Sequence, residues 1–294
     1  MKEHIRYNVA GHSFLIGAEE ADLRDIRLLL PSYSPFLVSG QSDVQPVFEL
    51  WLTSVRQSLH GSQVYRFEWE GASYAIYQGE EGYDFEILPS GKSEPYLMCT
   101  DTEFTKASLC LDGKVKSDAF ILNNCLMMMY AFATAPLMTL LVHASVTINS
   151  GKAYLFLGKS GTGKSTHSSL WLKYIPGSEL LNDDNPVVRV VGEQVIVSGS
   201  PWSGKTPCYK NRQLPVGAVI KLNQAPENTI VKSKPSQAFA TLLTSSSTMK
   251  WDKRIFDGIC DTVTKAVEKI PFYTLDCLPD AGAAGLCHQT VTHG

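Results

Sequence analysis

No C-x-x-C pair occurs in the 294 residues, and the seven cysteines, Cys99, Cys110, Cys125, Cys208, Cys260, Cys277 and Cys287, are odd in number and irregularly spaced. That pattern argues against a disulfide framework or a zinc site and leads to an expectation of reduced thiols in a cytoplasmic protein. Charge of one sign is also missing. Lys and Arg number 26 against 29 for Asp and Glu, for a net charge of −3, and no long Lys/Arg run occurs. A basic field that would draw nucleic acid or an anionic bilayer is therefore absent, and neither partner is expected. The opening Met1-Lys-Glu-His-Ile-Arg-Tyr-Asn8 carries no apolar core of a secretory signal. The longest apolar run, Cys125 to Val142, is interrupted by Thr134, Pro136 and Thr139 and closed by His143. Its length raises the question of a membrane span. Pro136 instead predicts a buried core helix, a break, then a strand from Leu137 to Val142. No internal repeat is visible.

What is present is an ordinary globular balance, 44% hydrophobic residues, enough for one large domain or two smaller ones. Val47–Thr53, Gln63–Trp69, Ser73–Tyr77 and Tyr83–Leu88 alternate apolar with polar residues and are punctuated by Gly71, Gly79, Gly82 and Gly91. They predict antiparallel strands with one wet face, with Ala107–Leu111 a further strand. A helix is predicted over Ser117–Ala133, then an extended run Leu140–Ile148, a hairpin turn at Asn149-Ser-Gly151 and a strand Lys152–Leu157. Downstream, Val187–Val191 and Gln194–Ser198 read as a hairpin, Val216–Leu222 and Pro271–Leu275 as strands, and Gln237–Leu243 and Arg254–Glu268 as helices.

Residues 158 to 165 read Gly-Lys-Ser-Gly-Thr-Gly-Lys-Ser, a full G-x-x-x-x-G-K-[ST] phosphate-binding loop. An apolar strand precedes it. A helix with Leu170, Trp171 and Tyr174 on one face follows it, which is the context this loop needs. Glycines let backbone N–H groups turn inward around an anion, and the helix N-terminus adds its positive end. The predicted nucleotide contacts are Gly158, Lys159, Ser160, Gly161, Thr162, Gly163, Lys164, Ser165 and Thr166. Lys164 would reach the β- and γ-phosphates and Ser165 would offer its hydroxyl to Mg²⁺. The alternative is a polar turn and nothing more.

Such a loop needs a metal that rests partly on a carboxylate at a neighbouring strand end. Asp183 and Asp184 close the short run Leu180-Leu-Asn-Asp-Asp184 at a suitable distance along the chain. One would contact Mg²⁺ and the other would accept the proton of an attacking hydroxyl; spacing does not say which. Asp184-Asn-Pro186 also reads as a turn opener.

These segments together resemble the catalytic domain of HPr serine kinase/phosphorylase, within the phosphoenolpyruvate-carboxykinase-like group of P-loop proteins. The residues that carry the resemblance are His143-Ala-Ser-Val146, the loop itself, Leu181-Asn-Asp-Asp184 and Gly199-Ser-Pro-Trp-Ser-Gly204. The closing stretch Pro271-Phe-Tyr-Thr-Leu-Asp-Cys-Leu-Pro-Asp280 adds to them. The resemblance covers roughly residues 137 to 285. It implies that His143 lies near the transferred phosphate and that Asp183 and Asp184 supply metal contact and general base; a histidine simply satisfied within the sheet is the other reading of His143. The family's regulatory signature after the acidic pair is not found, and Gly199–Gly204 stands in that region, so neither HPr as substrate nor phosphorolysis carries over. Lys205 and Arg212 are further candidates for neutralising phosphoryl charge, Lys210 reads as a solvated side chain, and Trp202 as pocket wall or packing.

The expected architecture is α/β: a mixed twisted sheet carrying the P-loop over residues 117–294, preceded by a β-rich N-terminal domain over 1–116. The expected activity is an ATP- and Mg²⁺-dependent kinase acting on a hydroxyl of a peptide, protein or metabolite, with His143, Lys164, Asp183 and Asp184 as catalytic residues. A nucleotide-binding regulatory protein with little turnover is the alternative, as is transfer to water. An oligomer is left open.

Overall fold

The computed structural model describes residues 3–18, 23–40, 43–69, 71–204 and 206–293. The chain forms two compact units, 1–134 and 135–294. The boundary falls at Thr134 rather than after residue 116, so the long helix expected to open the second domain belongs to the first.

The first unit holds β1 (Glu3–Val9), β2 (His12–Ala18), α1 (Leu23–Leu29), β3 (Phe48–Leu52), β4 (Ser62–Trp69), β5 (Ala72–Gln78), β6 (Gly82–Pro89), β7 (Tyr96–Asp101), β8 (Lys106–Leu109) and α2 (Val115–Thr134). Its eight-stranded sheet runs β1-β2-β3-β8-β7-β6-β5-β4. From β4 to β8 it is the expected antiparallel meander. The β2–β3 and β3–β8 pairings are parallel, which was not expected. Every residue of β2 is buried, so the strand shows no wet face and no alternation to read. α2 is fastened to the same unit by Tyr130, whose hydroxyl donates to the Val9 carbonyl at 3.0 Å, and by Asn123, whose side-chain oxygen accepts from Tyr33 at 3.1 Å. By length and composition alone Val115–Leu137 would cross a bilayer, yet 61% of its most apolar window is buried within the protein.

The second unit contains β9 (Thr139–Leu141), β10 (Ala144–Asn149), β11 (Lys152–Leu157), α3 (Lys164–Tyr174), β12 (Glu179–Asp184), β13 (Val187–Val191), β14 (Gln194–Ser198), β15 (Gln213–Gln224), β16 (Thr229–Lys232), α4 (Pro235–Ser245), α5 (Lys253–Lys269), β17 (Phe272–Cys277) and α6 (Ala281–His293). Its strands make a mixed sheet in two wings. One wing is β12-β10-β11-β15-β17-β16, in which β11–β15 and β15–β17 are parallel. The other is β9-β13-β14-β15, all antiparallel. β15 belongs to both: Gln213–Pro215 pairs with β14 and Val216–Lys221 with β11. The β10–β11 hairpin closes on Ser150 and Gly151, with φ of 48° and 76°, the two positive values a type I′ turn requires. β10 is wholly buried and β11 nearly so, as suits central strands.

α3 packs Trp171 into a core with Tyr154, Phe156, Ile220, Leu275 and Cys287. Leu170 leans on that core, but Tyr174 is 43% exposed, so the expected three-residue face is a two-residue one. His167 shares the buried side of α3. It accepts a hydrogen bond from Trp171 Nε1 at 3.2 Å, and burial pushes its pKa down to about 4.

Candidate functional site

The glycine loop leaves the end of β11 and enters α3. Lys159 and Thr162 close a turn within it: Thr162 N donates to the Lys159 carbonyl at 3.1 Å and Thr162 Oγ1 to the same oxygen at 2.7 Å. Gly161 and Gly163 sit at φ of 81° and 107°, backbone that a side chain would strain. Gly163 stands at the N-cap of α3 with no side chain to offer, so the first-turn N–H groups are left to another acceptor. From the far side of the loop, Gln224 at the end of β15 donates to the carbonyls of Gly161 and Thr162 at 3.3 and 3.4 Å. Ser165 and Thr166 are exposed on the first turn of α3.

Lys164 is half-buried, and its ammonium donates to the Gly158 carbonyl at 3.1 Å. Burial lowers its pKa; the negative charges of Asp184 and Asp183 act in the opposite direction. The loop lysine and the acidic pair, read separately in the sequence, thus act on one another in the structure. Strand register explains the meeting. Ala144 of β10 pairs with Leu157, the last residue before the loop, and on its other side with Asp184; Ser145 pairs with Asp183. Asp184, Ala144 and Leu157 form one row across the sheet, so the carboxylates and the loop stand at the same edge. β12 runs as strand through Asp184, and the chain leaves the ladder at Asn185-Pro186 before β13 begins at Val187.

This edge is also where the two wings part. β9 and β13 pair in one wing and β10 and β12 in the other, so both chains switch wings at Val142-His143 and Asn185-Pro186. Backbone groups released at the switch find other partners: Val142 N donates to the Pro186 carbonyl at 3.1 Å and His143 N to Ser245 at 2.7 Å. The fork sets His143 Nδ1 3.0 Å from Asp184 Oδ1. The other oxygen of Asp184 accepts from Asn185 Nδ2 at 2.8 Å. Asp183 is buried, and its backbone carbonyl accepts from Gly204 N at 2.7 Å.

Gly199–Gly204 braces the acidic pair. Asn182 Nδ2 donates to Ser200 Oγ at 3.2 Å, Ser200 Oγ donates to the Asn185 carbonyl at 2.6 Å, and Asn185 N donates to the Trp202 carbonyl at 3.3 Å. Gly204 lies so close that a Cβ there would come within 2.8 Å of the Asp183 carbonyl oxygen and 3.2 Å of Asp184 Cβ. Trp202 is buried and contributes packing. Asn182, Asn185 and Ser200 were not anticipated as positioning residues; the run of Asn and Asp ahead of Pro186 was the signal for the two asparagines.

Arg212 and Lys210 are not brought to the loop. Both pair with Glu179, at 3.0 and 3.1 Å, at the opposite end of β12. Lys205 lies outside the described residues. Among the described residues, no group of three or more His, Cys, Asp or Glu is arranged to hold a metal by itself. Ser165 and the two carboxylates are hard oxygen donors of the kind Mg²⁺ takes.

No protein-family model matches the chain, and no curated protein matches it. Among solved structures it is similar to the Hpr(Ser) kinase/phosphatase from Coxiella burnetii, at 16% identity, over 52% of this chain and 97% of that one, with a TM-score of 0.31. A likeness that loose carries no weight for the activity of this chain.

Proposed function

We propose that this protein is an ATP- and Mg²⁺-dependent phosphotransferase that moves the γ-phosphoryl group to a hydroxyl of a peptide, protein or small molecule. The observation that carries the reading is the electrostatic meeting of Lys164 with Asp183 and Asp184 at one sheet edge. A glycine loop alone would hold an anion; the carboxylate pair beside it, Asp183 buried and Asp184 partly exposed, supplies what transfer needs in addition.

In this reading the loop amides and the N-terminus of α3 cradle the phosphates. Lys164 exchanges the Gly158 carbonyl for phosphate oxygens. Ser165 and Asp183 would hold Mg²⁺, which would supply neutralisation of the charge that builds up on the phosphate oxygens. Asp184, oriented by Asn185 and His143, takes the proton of the acceptor hydroxyl. The acceptor oxygen bonds to phosphorus as the bond to the β-phosphate oxygen breaks, leaving ADP. The work is positioning and charge neutralisation.

The test is Mg·ATP binding by calorimetry together with phosphate transfer to a pool of peptides and metabolites, for wild type and Lys164→Ala. Wild type binds and transfers; Lys164→Ala loses about 10- to 100-fold in nucleotide affinity, the worth of a charge-assisted hydrogen bond. Tight binding with neither hydrolysis nor transfer would establish a binding-only protein. Phosphate release that needs no acceptor would make it a hydrolase, and a wild type that does not bind ATP would sink the reading.

A further inference from the structure

β4 ends the eight-stranded sheet of the first unit: it pairs with β5 on one side, and the strand order stops there among the described residues. It is an eight-residue edge with neither proline nor lysine to discourage pairing, and most of its residues are exposed. Its sequence, Ser-Gln-Val-Tyr-Arg-Phe-Glu-Trp, is divided by face. Tyr65, Phe67 and Trp69 lie over one side, opposite Ile76, Tyr74 and Ala72 of β5; Arg66 and Glu68 lie over the other, opposite Ala75 and Ser73. Tyr65 is 47% and Trp69 40% exposed. Phe67 is stacked on Tyr74 at 4.7 Å and sits 5.8 Å from Tyr65, so the aromatic row is already ordered within one chain.

We propose that β4 pairs antiparallel with β4 of a second copy of this chain, about a two-fold axis through Phe67, joining two eight-stranded sheets into one. The argument is charge and shape complementarity of the strand with itself. Centred on Phe67, the register sets Arg66 opposite Glu68 twice, and on the other face Tyr65 opposite Trp69 twice with Phe67 against Phe67. Cross-strand pairs of opposite charge and of aromatic rings are the units that stabilise a ladder, and like charges directly opposite destabilise it. Centring the pair on Arg66 would set arginine against arginine, and centring it on Glu68 would set glutamate against glutamate. The central register meets the self-complementarity that a two-fold interface requires. Among the described residues, Arg66 donates to Ser73 Oγ at 3.3 Å on the exposed surface.

The test is the mass of the full chain in solution by light scattering or sedimentation across a concentration series. Wild type, Arg66→Glu, Glu68→Arg, the double exchange and an equimolar mixture of the two single variants are compared. Wild type dimerises. Each single variant sets two like charges opposite at both ends of the pair and is monomeric, with unchanged circular dichroism because both side chains are at the surface. The double exchange dimerises again. The mixture forms a heterodimer, since the all-acidic edge of one variant faces the all-basic edge of the other. A monomeric wild type, single variants that still dimerise, or a mixture that stays monomeric would each overturn the proposal. Should a single variant misfold, the wild type and the double exchange still decide: a monomer in either overturns the proposal.

Discussion

The two ends of β12 carry the same chemistry in different surroundings. At its start Glu179 meets Lys210 and Arg212 on the surface, and the Lys210 hydrogen bond and charge, followed by the charge of Arg212, lower its pKa. At its finish, ~17 Å away at the usual strand rise, Asp183 and Asp184 face a lysine that burial makes reluctant to hold its proton. Water screens the first group, and such pairs contribute little to stability. At the second, desolvation leaves a cation whose charge is only partly offset by the carboxylates, ready to be completed by an anion. Burial, not the count of charges, separates a decorative ion pair from a site.

Asp184→Asn is the sharpest way to break the contrast. It keeps the shape of the side chain and removes the proposed proton acceptor, so nucleotide binding should persist while transfer falls by about 10²- to 10⁴-fold, the usual worth of a general base. A variant that transfers as well as wild type would take the base role from Asp184. Next in size is a stability effect from the buried side of α3. His167 has its folded pKa lowered from 6.5 to about 4. Between those values the unfolded chain binds a proton that the folded chain refuses, so stability is full above pH 6.5 and is lost as pH falls toward 4. Denaturant unfolding at several pH values should show the loss, and His167→Gln, which still accepts from Trp171, should flatten it.

Gly204→Ala should follow, since its Cβ collides with the Asp183 backbone. About 1–3 kcal/mol of stability is expected to go, as for other overpacked sites, with a fall in kcat larger than that in nucleotide affinity. The smallest effect is expected at the exposed end: Glu179→Gln should leave both the melting temperature and the turnover at wild-type values. A loss of activity there would mean that the two ends of β12 are coupled and the contrast false.

The site was legible where local signals were dense. The glycine loop has a strand before it and a helix after it, the Ser150-Gly151 turn is a hairpin, and β12 ends on its two carboxylates. What could not be read depends on pairing between distant segments. The register Leu157–Ala144–Asp184 unites three segments, and no spacing along the chain encodes it. β15 begins at Gln213 rather than Val216, because Pro215 reads as a breaker yet sits in the short ladder with β14. α6 was not foreseen: Ala281-Gly-Ala-Ala-Gly offers few large residues to mark a face, although Ala284 and Cys287 pack into the core. In the first unit, β2 hid itself by being covered on both sides.

The double membership of β15 has a consequence for how the chain matures. On a ribosome, β10 and β11 emerge together and can close at once through their two-residue turn. The glycine loop then has a neighbour on one side only. Its other wall arrives with Gln213–Gln224, and β17, which backs that wall, comes later still. Parallel strands cannot pair until the intervening chain has been made, and such distant pairings are slow to form. A nascent chain halted before residue 213 would therefore display the complete loop sequence yet lack Gln224, which grips the loop at Gly161 and Thr162. On the proposed reading, competence to bind nucleotide would be acquired late, when β15 docks, and an unfinished chain would not sequester it.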